Sequence, residues 1–176
     1  MALDYRKFYH LERYLFDEVG PGFAETGNLS PVDFYMIVIW KANRAKTRIL
    51  TRLNKHEGGF TAAIKDMAAA LSASGTPMRR LEVLMKDWGF LLPMATAILT
   101  VLYPTEFSVY DIRVCQQLEK FEELATRRFS SRLWAGYQAF LQEVENKVPG
   151  ELSLRDKDRY LWGKSFFEGV ENDLRG

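Results

Sequence analysis

The chain has 176 residues, of which 47% are hydrophobic and 27% charged, with a formal net charge of +1. That length suits one domain with a full core, and the balance excludes a disordered, fibrous or repeat design. A near-neutral charge also excludes capture of nucleic acid by the surface as a whole, because such binding scales with the phosphates that Lys and Arg neutralise, so any DNA contact has to be local.

In chain order, the first predicted helix covers Leu3 to Asp17, buries Phe8, Leu11, Leu15 and Phe16, and stops before Gly20, Pro21 and Gly22. Asp4, Arg6, Lys7, Glu12 and Arg13 break the apolar run that an export signal needs, so a cytoplasmic protein is expected. Ser30 as N-cap, Pro31 as first helical residue and Asp33 in the positive first turn open a second helix through Trp40 to about Lys55. Its apolar stretch, Phe34 to Trp40, is far short of the roughly 20 residues that cross a membrane. Gly58 and Gly59 end it, and an Ala-rich helix from Thr61 to Leu71 comes next.

Thr76 and Pro77 repeat the cap-plus-proline start for a helix that buries Leu81, Leu84 and Met85 and ends near Trp88 and Gly89. Pro93 to Leu102 carries small residues beside Ile98 and Leu99, the pattern of a central, closely approached helix. Tyr103 to Ser108 reads as a loop. Further helices are expected at Val109 to Phe121, at Ser130 to Val148, and from Ser153, whose spacing to Asp156 gives a capping box. With no alternating stretch, repeat or linker, residues 1–176 read as one all-α bundle of about eight helices.

The lone cysteine, Cys115, excludes an internal disulfide, and His10 and His56 supply no zinc-spaced ligand set, so neither metal nor cofactor is expected. The informative segment is Trp88 to Leu99 (W-G-F-L-L-P-M-A-T-A-I-L) and then Tyr103 to Val114 (Y-P-T-E-F-S-V-Y-D-I-R-V). It resembles the helix-hairpin-helix glycosylases, the superfamily of endonuclease III, in which a hairpin L-P-G-x-G-x-K-T-A leads to an aspartate in D-x-H-V. In one ungapped register Gly89 falls on the first hairpin glycine, Ala95 on the alanine, Asp111 on the aspartate and Arg113 on the basic position. Residues 77–121 would be the hairpin-containing segment. Trp88 replaces the hairpin proline, Leu91 the second glycine and Pro93 the Schiff-base lysine, which excludes lyase chemistry by that lysine and removes a backbone donor from the hairpin. Together with W-K-A-N-R (Trp40 to Arg44) and L-R-D-K-D-R-Y-L-W (Leu154 to Trp162), these blocks also resemble uncharacterised bacterial proteins related to that superfamily.

The resemblance implies a DNA partner and base excision without lyase activity, with Asp111 stabilising positive charge as the base leaves. A plain helix N-cap is the competing reading of Asp111. Trp40, Lys41 and Arg44 suit a base and phosphates, or else core packing for the tryptophan and a solvated face for the cations. Arg113 either meets DNA or pairs with Glu106 or Asp156. Tyr110 and Phe107 suit pocket walls and, better, core anchors. Arg155, Asp156, Asp158 and Arg159 read as a salt-bridged helix face, and Cys115 as a small buried residue. A non-catalytic module that keeps the fold is the alternative function.

Overall fold

The computed structural model describes residues 5–148 and 150–175, which form helices and turns and no strand. A 3₁₀ turn, Tyr5–Phe8, precedes α1 over residues 11–26, which contains a π-type turn at Leu15–Val19. The expected start, at Leu3, lies outside the described residues. The expected stop before Gly20 is wrong: the helix runs through Pro21 to Thr26. The wider π turn just before Pro21 spares the helix the bond that proline cannot donate and the clash of its ring with the carbonyl four residues back. Gly20 marks a close crossing, since a Cβ there would lie 2.5 Å from the Val101 carbonyl oxygen.

α2 spans residues 31–53 as two arms, Pro31–Ala42 and Lys46–Leu53, joined by a 3₁₀ turn at Asn43–Ala45. Ser30 caps it as expected, its hydroxyl accepting from the Asp33 amide at 3.1 Å. No glycine or proline announces the interruption, which departs from the single helix expected there. α3 is Gly59–Ser72, and α4 covers residues 77–87, capped by Thr76. The four residues Trp88 to Leu91, with Gly89 at φ +65°, turn the chain into α5, Leu92–Leu102. α5 is the central helix that its small residues predict: every residue except Pro93 is buried, and α1, α2 and α4 pack around it.

α6, Ile112–Leu118, starts three residues later than expected because residues 109–111 stay outside any helix and Asp111, its N-cap, is extended. α7, Ser131–Lys147, and α8, Leu154–Arg175, complete the bundle. One hydrophobic core joins residues from Tyr14 to Leu161, as an all-α single domain requires. α8 lies across α6 and α7, and Lys157 fixes it by donating to the Glu145 carbonyl at 3.1 Å and pairing with its carboxylate at 2.5 Å. Among the described residues no helix is long and apolar enough to cross a membrane.

Candidate functional site

The site grows from the segment between α5 and α6, which buried hydrogen bonds hold in place. Thr96 on α5 accepts from the Tyr110 amide at 3.0 Å, and the Tyr137 hydroxyl both accepts from the Ser108 amide and donates to its carbonyl. Tyr110 is itself 1% exposed and donates to the Phe121 carbonyl at 2.6 Å. Buried polar groups satisfied in this way fix the backbone that carries them. The next residue, Asp111, is therefore aimed by its neighbours. It caps α6, with Oδ1 accepting from the Arg113 amide at 3.0 Å.

The other carboxylate oxygen of Asp111 accepts from Lys41 Nζ at 2.5 Å, an ion pair with side chains only 20% and 12% exposed. Burial pulls the Asp111 pKa upward, but the charge and hydrogen bond of Lys41, helped by Arg113, outweigh it and hold the carboxyl below its usual value. Both residues line a cavity of about 360 Å³ with Trp40, Arg155, Asp158 and Trp162, and with Glu12 and Arg159 at its side. That volume lies in the range of roughly 300–1,000 Å³ that small-molecule sites occupy.

α8 supplies the opposite wall. Arg155 pairs with the buried Asp158 and with Glu12 at 2.6 Å, and its guanidinium lies 5.1 Å from the Phe16 ring and 5.2 Å from the Trp40 ring. Burial pushes the Asp158 carboxyl up to about 6 against the pull of Arg155, Lys41 and the Val109 amide. Glu12 goes the other way: burial raises its pKa, and Arg155 and Arg159 more than cancel that. Each carboxylate of the cavity is thus matched by a cation.

Of the residues singled out in the sequence, Asp111, Trp40 and Lys41 come together at this cavity. Arg44 does not, because the turn after Ala42 carries it onto the exposed surface. Gly89 lies at the α4–α5 turn beside Arg52, outside the cavity lining. Tyr110 is core, packed near Phe140, and so is Phe107. Arg113 pairs with neither expected carboxylate: Glu106 meets Arg80 and Asp156 meets Arg159, while Arg113 lies 5.5 and 5.6 Å from the Trp162 and Phe166 rings. Cys115 is buried, as expected, and burial raises its thiol to about 11.

Sequence reasoning misses Glu12, Arg155, Asp158 and Trp162 as cavity residues. The expected salt-bridged face of α8 is present, with Arg155 paired to Asp158 and Arg159 to Asp156, but it reaches inward as well as outward, since Asp158 is 2% exposed. A signal exists: Leu154, Asp158, Leu161 and Ser165 succeed each other at helical spacing on one face.

Chemically, the cavity is lined by the Asp111 carboxylate paired with the Lys41 ammonium and by two tryptophans, Trp40 and Trp162. Among the described residues no three His, Cys, Asp or Glu side chains are grouped to hold a metal ion. Comparison with known proteins returns no matching family model, curated protein or solved structure.

Proposed function

We propose that the protein binds DNA and releases a base from it by hydrolysis, as a glycosylase without lyase activity. The observation that carries this reading is the Asp111 carboxylate, fixed at a helix start and lining a cavity of about 360 Å³ together with Trp40 and Trp162. An extruded base would lie against the indoles with its sugar near Asp111. The C1′–N bond then breaks with its electron pair passing to the base, and Asp111 stabilises the cation that develops at C1′. Water adds its hydroxyl to C1′ and its remaining proton goes to the base. A carboxylate held below its usual pKa by Lys41 is suited to this electrostatic role rather than to taking a proton.

Lys41 bears on the absence of lyase activity. A lyase would need its amine free to attack C1′, whereas Nζ donates to Asp111 at 2.5 Å as an ammonium without a lone pair. A second reading, a non-catalytic module, is favoured by the pairing of Asp111, Glu12 and Asp158 with cations of the same cavity.

The test is incubation of the wild-type protein with duplexes carrying a broad panel of damaged or mismatched bases. The expected products are a free base and an intact abasic strand that breaks only under alkali, with no protein–DNA adduct on borohydride treatment. Release of no base from any duplex would favour the non-catalytic reading, and a borohydride adduct at Lys41 would overturn the exclusion of lyase activity.

A further inference from the structure

From Phe34 to His56 the chain holds no carboxylate, and the basic residues Lys41, Arg44, Lys46, Arg48, Arg52 and Lys55 succeed one another. Three are engaged within the molecule: Lys41 with Asp111, Lys46 with the Asn43 side chain at 2.7 Å, and Arg52 with the Trp88 carbonyl and the Phe90 ring. Arg44, Arg48 and Lys55 are exposed and have no ion-pair partner among the described residues. Elsewhere Lys120 meets Glu143 and Arg127 meets Glu123, while the exposed Arg128, Arg132 and Lys147, also without an ion-pair partner among the described residues, are spread from before the start of α7 to its last residue.

This arrangement works against the stability of its own helix. Arg44, Arg48 and Arg52 recur every four residues, the spacing at which like charges face each other. Burial and the nearby charge of Arg48 both lower the Arg52 pKa. Lys46 and Arg48 also sit in the first turn of the Lys46–Leu53 arm, where the helix dipole is positive and favours anions. An anion from outside would relieve both repulsions at once.

We infer that the second arm of α2, with the turns that flank it, is a docking surface for the phosphate backbone of a nucleic-acid strand, with Arg44, Arg48 and Lys55 as its contacts. The inference rests on the proposed function and deepens it by naming the surface that delivers the strand to the cavity. Continuity favours a nucleic acid: Trp40 and Lys41 end the first arm inside the cavity, and the cationic arm begins one turn later. A lipid surface is a poor fit, because a membrane-lying helix presents its apolar face outward and here Ile49 and Leu53 are buried in the core. Eight helical residues are about 12 Å long, which at about 3.4 Å per phosphate along one strand covers three or four nucleotides.

The test is fluorescence anisotropy of a fluorescein-labelled undamaged duplex of about 20 base pairs and the matching single strand, at about 50 and about 200 mM salt. The variants are the triple Arg44→Ala/Arg48→Ala/Lys55→Ala and, with the same loss of charge, Arg128→Ala/Arg132→Ala/Lys147→Ala, each checked for a cooperative melt at a Tm no lower than that of the wild type. Salt-sensitive binding by the wild type is expected, with at least a tenfold loss in the arm variant and a salt slope smaller by about 3. The second triple should stay near wild type.

Absence of salt-sensitive binding, equal losses in both triples, or wild-type binding that survives the arm substitutions would overturn the inference. So would binding to anionic phospholipid vesicles with none to either DNA. The two proposals fail separately. Arm-dependent binding with no base released leaves the surface standing and removes the glycosylase, while base release at an unchanged KM by the arm variant does the reverse.

Discussion

Lys41 and Arg44 are three residues apart on α2 and live under opposite rules. Lys41 is enclosed with Asp111, in a cavity where Glu12 and Asp158 also have their cations. Arg44, with Arg48 and Lys55, is exposed and has no ion-pair partner among the described residues. The contrast comes from solvent: an unpaired charge taken out of water costs several kcal/mol, so pairing is obligatory in the cavity. On the surface water screens the same charge, and repulsion along the arm costs only tenths of a kcal/mol. Charges left unpaired at so small a cost stay available to an outside partner.

Arg155 is where the contrast can be broken most visibly. Its replacement by alanine strands the buried Asp158, takes a partner from Glu12 and uncovers Phe16 and Trp40, so a loss of about 3–5 kcal/mol is expected in urea unfolding. A loss below about 1 kcal/mol would mean that the cavity charges do not depend on one another.

Acidity sharpens the same point. Burial raises Asp158 to about 6, so between the ordinary value of 3.8 and about 6 the native carboxyl keeps a proton that the unfolded chain releases. Its contribution to stability therefore falls as pH rises from about 4 to about 6 and is level above, a change of about 3 kcal/mol. Glu12 and Asp111, both lowered, contribute with the opposite sign: their stabilisation is present above 4.5 and 3.8 and is lost as pH falls below those values. The stability difference between wild type and Asp158→Asn should move against the wild type across that window, and a flat difference would show Asp158 ionised throughout.

Smaller effects are expected where the arm meets the core. At Gly89, φ is +65° and a Cβ would lie 3.1 Å from Arg52 Nη1, so Gly89→Ala should cost about 1–2 kcal/mol and lower the Tm. An unchanged Tm would show that the turn tolerates a side chain. On the arm itself the sign reverses: Arg48→Glu places an anion in the positive first turn beside Arg52 and should stabilise the fold by about 0.5 kcal/mol. A lower Tm for Arg48→Glu would mean that the arm is not strained by its own charges.

Local rules are enough for much of this architecture. Ser30, Thr76, Asp111 and Ser130 each cap a helix, as their side chains predict, and the small residues of α5 announce its burial. Where tertiary contact decides, the sequence is silent. The passage of α1 through Pro21 depends on a π turn and on Gly20 meeting the Val101 carbonyl, and the break after Ala42 carries no helix breaker. Within the cavity, Asp111, Trp40 and Lys41 are readable because their residue types fit a base and its sugar. Glu12, Arg155 and Asp158 are not, since acids and bases at helical spacing look alike whether they face water or one another across 143 residues of chain.

The carboxylate of Asp111 carries the proposed chemistry, and its most direct test is single-turnover base release by Asp111→Asn on whichever duplex the wild-type protein processes. Asparagine caps a helix about as well as aspartate, with differences of only tenths of a kcal/mol. The variant does lose its attraction to Lys41, so its fold is checked by circular dichroism and its DNA affinity by titration. The predicted result is a folded protein that binds DNA as tightly as wild type or more tightly, while base release falls by about two to three orders of magnitude. A folded variant that releases the base at the wild-type rate would contradict the catalytic role and leave Asp111 as a helix cap alone.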